Sequence, residues 1–184
     1  MPQRKIFNKE KIMSVSDQSI SYPIPPTLMH YVTGTWADAA GAVAGTIVKA
    51  RAAADGSSVI NIPVVIPHST KSSTEKGSFV KSIDLWWAVT VAAMDAVTAV
   101  INLITMGANG AAQSVEAQAF TYDADHDTAG ERLTLDEHKM TLTLTTPIWL
   151  GDGEQLSVEL TIDAALTSVF QMVGAQINTT HREG

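Results

Sequence analysis

A chain of 184 residues, with 45% hydrophobic and 17% charged side chains, is long enough to bury one sizeable core and leaves little for a second. Its formal net charge of -7 argues against a body that wraps nucleic acid. The absence of cysteine excludes a disulfide framework, a thiolate zinc site and a cysteine nucleophile.

Residues 1–26 read as an extended N-terminal arm, and residues 27–184 as a single domain. The start "MPQRKIFNKEKIMSVSDQ" has no apolar run behind its basic residues, so no secretory leader is expected. Arg4, Lys5, Lys9 and Lys11 stand against Glu10, which sets a basic arm before an acidic body. Pro23, Pro25 and Pro26 favour a polyproline-like path and forbid a continuing helix or central strand. Ile6, Phe7, Ile12 and Met13 are too sparse for an independent fold but suffice as anchors in a groove. The arm is therefore expected to stay out of the domain core and to become ordered against a partner subunit.

From Leu28 the pattern is β. "TIVKARAA" and "SVINIPVVI" flank Asp55-Gly56, which suits a turn needing positive φ, so a hairpin is expected there. Pro63 has no N–H for a ladder and belongs at an edge or a bulge. Ile83, Leu85, Trp87, Val89 and Val91 alternate with more polar or outward positions along a long strand. The apolar run from Trp86 to Met106 is long enough to span a bilayer, but Asp95 at its centre argues against insertion. "AAMDA" turns the chain instead, and the β-branched Val97, Thr98, Val100, Ile101, Ile104 and Thr105 favour a strand over a helix. Asn109-Gly110 signals another turn. Met140, Leu142 and Leu144 alternate with threonines, as do Leu156, Val158, Leu160 and Ile162 with polar residues; Gly151-Asp152-Gly153 separates the two runs. The last strand places Val169, Val173 and Ile177 on one face and Phe170 and Met172 on the other. Many strands with turns between them predict an all-β, antiparallel β-sandwich, jelly-roll-like, with the arm ahead of it.

One stretch concentrates side chains with ligand chemistry: Tyr122–His138, "YDADHDTAGERLTLDEH". Asp123, Asp125 and Asp127 match the first acidic positions of a calcium loop. Thr128 then stands where the turn glycine belongs, and Thr134 where the bidentate glutamate belongs. Calcium on these three aspartates is the one cofactor to entertain; no other is expected. His126 and His138 lack zinc-ligand spacing, and Asp136 with His138 reads as a solvated surface pair. Asp127, Glu131 and Asp136 supply carboxylates for acid–base work, but nothing in the sequence shows a cleft to go with them. The stretch is expected to be a solvent-exposed connection between strands. No nucleophile elbow, Walker loop or dinucleotide fingerprint occurs, so no enzymatic activity and no catalytic residue is expected.

Trp86-Trp87 is the leading apolar feature. With Trp87 inward beside Leu85 and Val89, Trp86 faces out beside Asp84, as an interface anchor first and a sugar platform last.

The run "FTYDADHDTAGERLTLDEHKMTLTLTTPIWLGDGEQLSVELTIDAA" resembles segments of uncharacterised virion structural proteins of tailed phages, of β-sandwich or jelly-roll type. That resemblance covers about the second half of the chain. It implies a capsid, decoration or tail-associated subunit, made in the host cytoplasm and resident in the virion. It implies a homo-oligomer, a trimer or larger, in contact with other virion subunits, with neither a membrane nor nucleic acid bound by the body. The interface candidates are Ile6, Phe7, Ile12 and Trp86. The alternative is a carbohydrate- or ligand-binding β-sandwich module.

Overall fold

The computed structural model describes residues 16–41, 46–66, 77–107, 111–151 and 153–183. Its strands are β1 (Ser16–Ile24), β2 (His30–Tyr31), β3 (Trp36–Ala40), β4 (Ile47–Arg51), β5 (Gly56–Val64) and β6 (Gly77–Thr90). The second half adds β7 (Met94–Thr105), β8 (Ser114–Gln118), β9 (Phe120–Tyr122), β10 (Glu137–Trp149), β11 (Glu154–Ala164) and β12 (Val169–Glu183). They form a seven-stranded sheet, β3-β4-β12-β6-β10-β9 with β1 also on β12, and a five-stranded sheet, β2-β5-β11-β7-β8.

Eight of these strands define the architecture. β1-β12-β6-β10 lie in one sheet and β5-β11-β7-β8 in the other. Along the chain every connection among the eight changes sheet except β7 to β8, which is a hairpin. That alternation is the jelly-roll topology. The sandwich is the antiparallel one that the sequence periodicity predicts. Its core follows the inward face of each strand: Ile83, Leu85, Trp87 and Val89 from β6, Met140, Leu142 and Leu144 from β10, and Leu156, Val158, Leu160 and Ile162 from β11, all nearly inaccessible. Each such side chain contributes about 1.5–3 kcal/mol on burial. No helix among the described residues is long and apolar enough to cross a membrane. The apolar run from Trp86 breaks at residues 91–93 and resumes as β7 in the opposite sheet, with Asp95 exposed.

Four local expectations need correction. Asp55-Gly56 does turn the chain, with Gly56 at φ 116°, but it makes no hairpin. β4 pairs with β12 and β3, whereas β5 pairs with β11 and β2, so the turn crosses between sheets. Arg51 holds that crossing. Buried to 4% exposure, it donates to Ser58 Oγ (2.6 Å), Ala54 O (2.7 Å) and Gly56 O (2.9 Å). Side-chain bonds take over the work that a hairpin ladder would otherwise do.

The second correction is in β12. A bulge at Val173, where the register jumps from Met172↔Trp87 to Gly174↔Trp86, turns Ile177 to the same inward face as Phe170 and Met172. Val173 is left 41% exposed. One extra residue reverses a period-2 pattern beyond it.

The third concerns residues 1–26. Ser16–Ile24 is not apart from the domain: β1 pairs with β12 over nine residues, and Ile24 joins the core. Pro23 is tolerated because, among the described residues, β1 pairs with β12 alone. The remainder of the expected arm, with Ile6, Phe7 and Ile12, lies outside the described residues. The fourth is Val91. It leaves the β6 alternation, 71% exposed, at φ 75°. The Ala92 N–H donates to Thr90 O at 3.0 Å around it, closing a γ-turn. Pro63 sits as expected: β2 reaches only Ile60 and Asn61, so among the described residues no strand pairs with that side of β5 at Pro63.

Candidate functional site

The connection from β9 to β10 contains most of the polar side chains that the sequence singles out, and it is not a simple exposed loop. Asp123, just after β9, lies beside β10. Its carboxylate accepts the Thr141 N–H and the Asp125 N–H and meets His126 Nδ1 at 2.7 Å. Partial burial works against its charge, but the Thr141 amide and His126 outweigh that and hold the carboxyl below its ordinary value. His126 Nε2 lies 3.2 Å from His138 Nδ1, and His138 Nε2 lies 3.0 Å from Thr134 O. Both imidazoles are buried, at 6% and 7% exposure.

Thr134 O and a carboxylate only accept hydrogen bonds. Any hydrogen bond to Asp123 or to Thr134 O therefore has the ring nitrogen as its donor, His126 Nδ1 in the first case and His138 Nε2 in the second. Each ring nitrogen is engaged within the protein. The rings also continue an aromatic row across the sandwich. His138 stacks on Trp87 (5.1 Å), Trp87 on Phe170 (6.2 Å), Phe170 meets Trp36 edge-on (6.3 Å), and Trp36 meets Tyr31 (4.7 Å). Arg132 closes the same loop from beneath. It donates to His126 O (2.5 Å) and to Val97 O (3.1 Å) on β7, in the opposite sheet, and lies 4.3 Å over the Tyr122 ring.

Thr128 and Glu131 bond reciprocally, in the pattern of a capping box, just ahead of the short 3-10 turn Glu131–Leu133. The Thr128 N–H donates to Glu131 Oε2 (2.9 Å), and the Glu131 N–H to Thr128 Oγ1 (3.4 Å). The Thr128 amide and hydroxyl hold the Glu131 carboxyl below its usual value. The signature Thr-x-x-Glu is readable in "TAGE".

The three calcium candidates do not converge in this arrangement. Asp123 is committed to Thr141, Asp125 N–H and His126, whereas Asp125 and Asp127 are exposed. Among the described residues no three His, Asp or Glu side chains gather as a metal site. The surface pair expected between Asp136 and His138 is replaced by the buried His126–His138 contact, and the Asp136 carboxylate instead accepts the Glu137 N–H at 2.8 Å. Packing against Trp87 draws His138 inward, because its ring buries more apolar area there than it would at the surface.

Trp86 lies on the outer face of the seven-stranded sheet, half-buried, between Lys139 of β10 and Gly174 of β12. The Lys139 ammonium sits 5.5 Å from its ring and 3.6 Å from Asp84 Oδ2, and Asp84 Oδ1 accepts the Thr141 hydroxyl at 2.8 Å. Two shallow apolar hollows meet at Trp86 and Val173. One is walled by Pro23, Pro25 and Pro26. The other runs over Ala88 and Val48, with Glu137 and Gln171 at its border. The Val173 bulge, invisible to period-2 counting, is what turns an apolar side chain out beside Trp86. Compared with known protein families and with curated proteins, the chain matches none.

Proposed function

We propose that the protein is a non-enzymatic structural subunit of a phage or phage-like particle, assembling through contacts between copies. The observation that carries this reading is the topology: two interleaved four-strand sheets, β1-β12-β6-β10 and β5-β11-β7-β8, form the jelly roll on which many shell-building subunits are made. A fold hosts more than one function, so the surface has to agree with it. Trp86 and Val173 offer an apolar outer sheet face of the kind that subunit contacts use. The buried polar groups at the β9–β10 connection serve the fold in this reading: they fix the loop to both sheets.

Multi-angle light scattering of the full chain at tens of micromolar tests it. A trimer or larger species is expected; a monomer at every concentration contradicts it. A carbohydrate-binding module is the second reading, favoured by Trp86 with Gln171 and Glu137 nearby. Against it, the Lys139 ammonium already sits over the Trp86 ring that a sugar would stack on.

A further inference from the structure

We propose that the hollows beside Trp86 seat the N-terminal segment, residues 1–15, of a neighbouring copy of this chain. The inference rests on the assembly reading above and names the contact that assembly would use.

The receiving face is locally apolar. Farther along the same outer face the side chains satisfy one another: Ser21 Oγ–H donates to Asn178 Oδ1 (2.9 Å), Asn178 Nδ2 to Ser82 Oγ (3.2 Å), and Thr141 to Asp84 (2.8 Å). At Trp86 this polar ladder stops. Beside Trp86, whose ring also carries the Lys139 ammonium, Pro23, Pro25 and the bulged Val173 leave apolar area open, with Glu137, Gln171 and Gln176 at the border. Burying that area against apolar side chains contributes about 25 cal/mol per Å².

The occupant is argued from what the chain holds outside the described residues. Residues 1–15 carry two apolar pairs, Ile6-Phe7 and Ile12-Met13, and there are two hollows that meet at one wall. Phe7 and Ile12 stand five positions apart, about 17 Å in an extended chain. Arg4, Lys5, Lys9 and Lys11 flank and separate these pairs, and the open rim beside the second hollow carries Glu137 and Asp136. Their attraction is screened over about 10 Å at 0.1 M salt, so the contact weakens as salt rises.

The direction of β1 makes the partner a second copy. Ile24 pairs with Ala175, beside the Trp86 row, whereas Ser16 pairs with Glu183 at the other end of the sheet. The eight-residue separation places the start of β1 about 27 Å from its own hollows. Ile12 stands four positions before Ser16, about 13 Å of extended chain, so the Ile12-Met13 pair falls short of its own hollows and fits those of a neighbour. Reciprocal or cyclic exchange of identical segments then closes a symmetric assembly.

The test uses the full chain with Phe7 replaced by a benzophenone amino acid, mixed with ¹⁵N-labelled chain, irradiated and read by mass spectrometry. Mixed-label crosslinks from position 7 to peptides holding Pro23–Pro26, Trp86 or Val173 are expected. In the same background Trp86→Ala lowers their yield by about tenfold, the effect of truncating a central aromatic anchor. Val173→Asp, at an exposed position, does the same without disturbing the core. Crosslinks confined to one label, or mixed-label crosslinks to another face, overturn the inference. Light scattering on the same sample separates the two claims: an oligomer with crosslinks elsewhere sinks this contact alone, and a monomer sinks both.

Discussion

Arg51 shows how a single side chain substitutes for a ladder. Its guanidinium satisfies Ser58 Oγ and the Ala54 and Gly56 carbonyls where the chain leaves one sheet for the other. Arg51→Met is expected to cost about 3 kcal/mol in urea unfolding, because the carbonyls lose their donors in a buried site. Arg51→Lys recovers little, since an ammonium cannot reproduce the planar fork. Asp123 makes a different prediction. Its folded carboxyl lies below the ordinary 3.8, so its charge stabilises the fold above that pH, and the contribution is lost as pH falls through the lower folded value. Asp123→Asn should therefore be less stable at pH 7 by about 2 kcal/mol and show a flatter stability profile as pH falls below the ordinary carboxylate value. Val91 stores strain: a β-branched residue at φ 75° in a γ-turn costs about 1–3 kcal/mol. Val91→Gly is expected to raise the melting temperature, and an unchanged or lower value would show the turn to be unstrained. None of these three roles was legible in sequence. Arg51 sits in an alternating strand, Asp123 resembles a metal ligand, and Val91 continues an apolar period.

At the level of elements, strands with clean alternation were readable: β6 up to Thr90, β10 and β11 follow from period 2 because each buries one face. What the pattern does not contain is which sheet a strand enters. Asp55-Gly56 and Gly151-Asp152-Gly153 signal turns equally well for hairpins and for crossings, and both cross. The Val173 bulge reverses the inward face of β12, and no residue type there announces it. β1 was hidden by its own composition: "SDQSISYPI" is polar, with a proline, because among the described residues only β12 pairs with it and most of its side chains are exposed. Yet Ile24 is 6% exposed and sits in the core. Ile24→Ala is expected to cost about 2–4 kcal/mol, and the amides of residues 17–24 that face β12 should exchange with the slow class of the sheet. Rapid exchange there would show β1 to be a loosely attached arm after all. In the candidate site, Trp86 facing outward was legible from its neighbour Trp87. The histidine pair was not, because two histidines twelve residues apart meet only when β9 and β10 fold back on each other.

For the whole molecule, the topology places both sheets' outer faces and the β1 edge at the surface, and on the seven-stranded sheet Trp86 and the bulged Val173 line two apolar hollows. A basic N-terminal segment and an acidic remainder on one chain favour head-to-neighbour attraction, so assembly is expected to weaken as salt rises from 0.05 to 0.5 M. The central claim is that this jelly roll builds a particle. Cryo-electron microscopy of particles purified from the native source, with the chain identified by mass spectrometry, tests it most directly. The account predicts the chain at fixed, symmetry-related positions in many copies per particle, each packed on its neighbour through the Trp86 face; recovery of the chain only as a free species, absent from every particle, would contradict it.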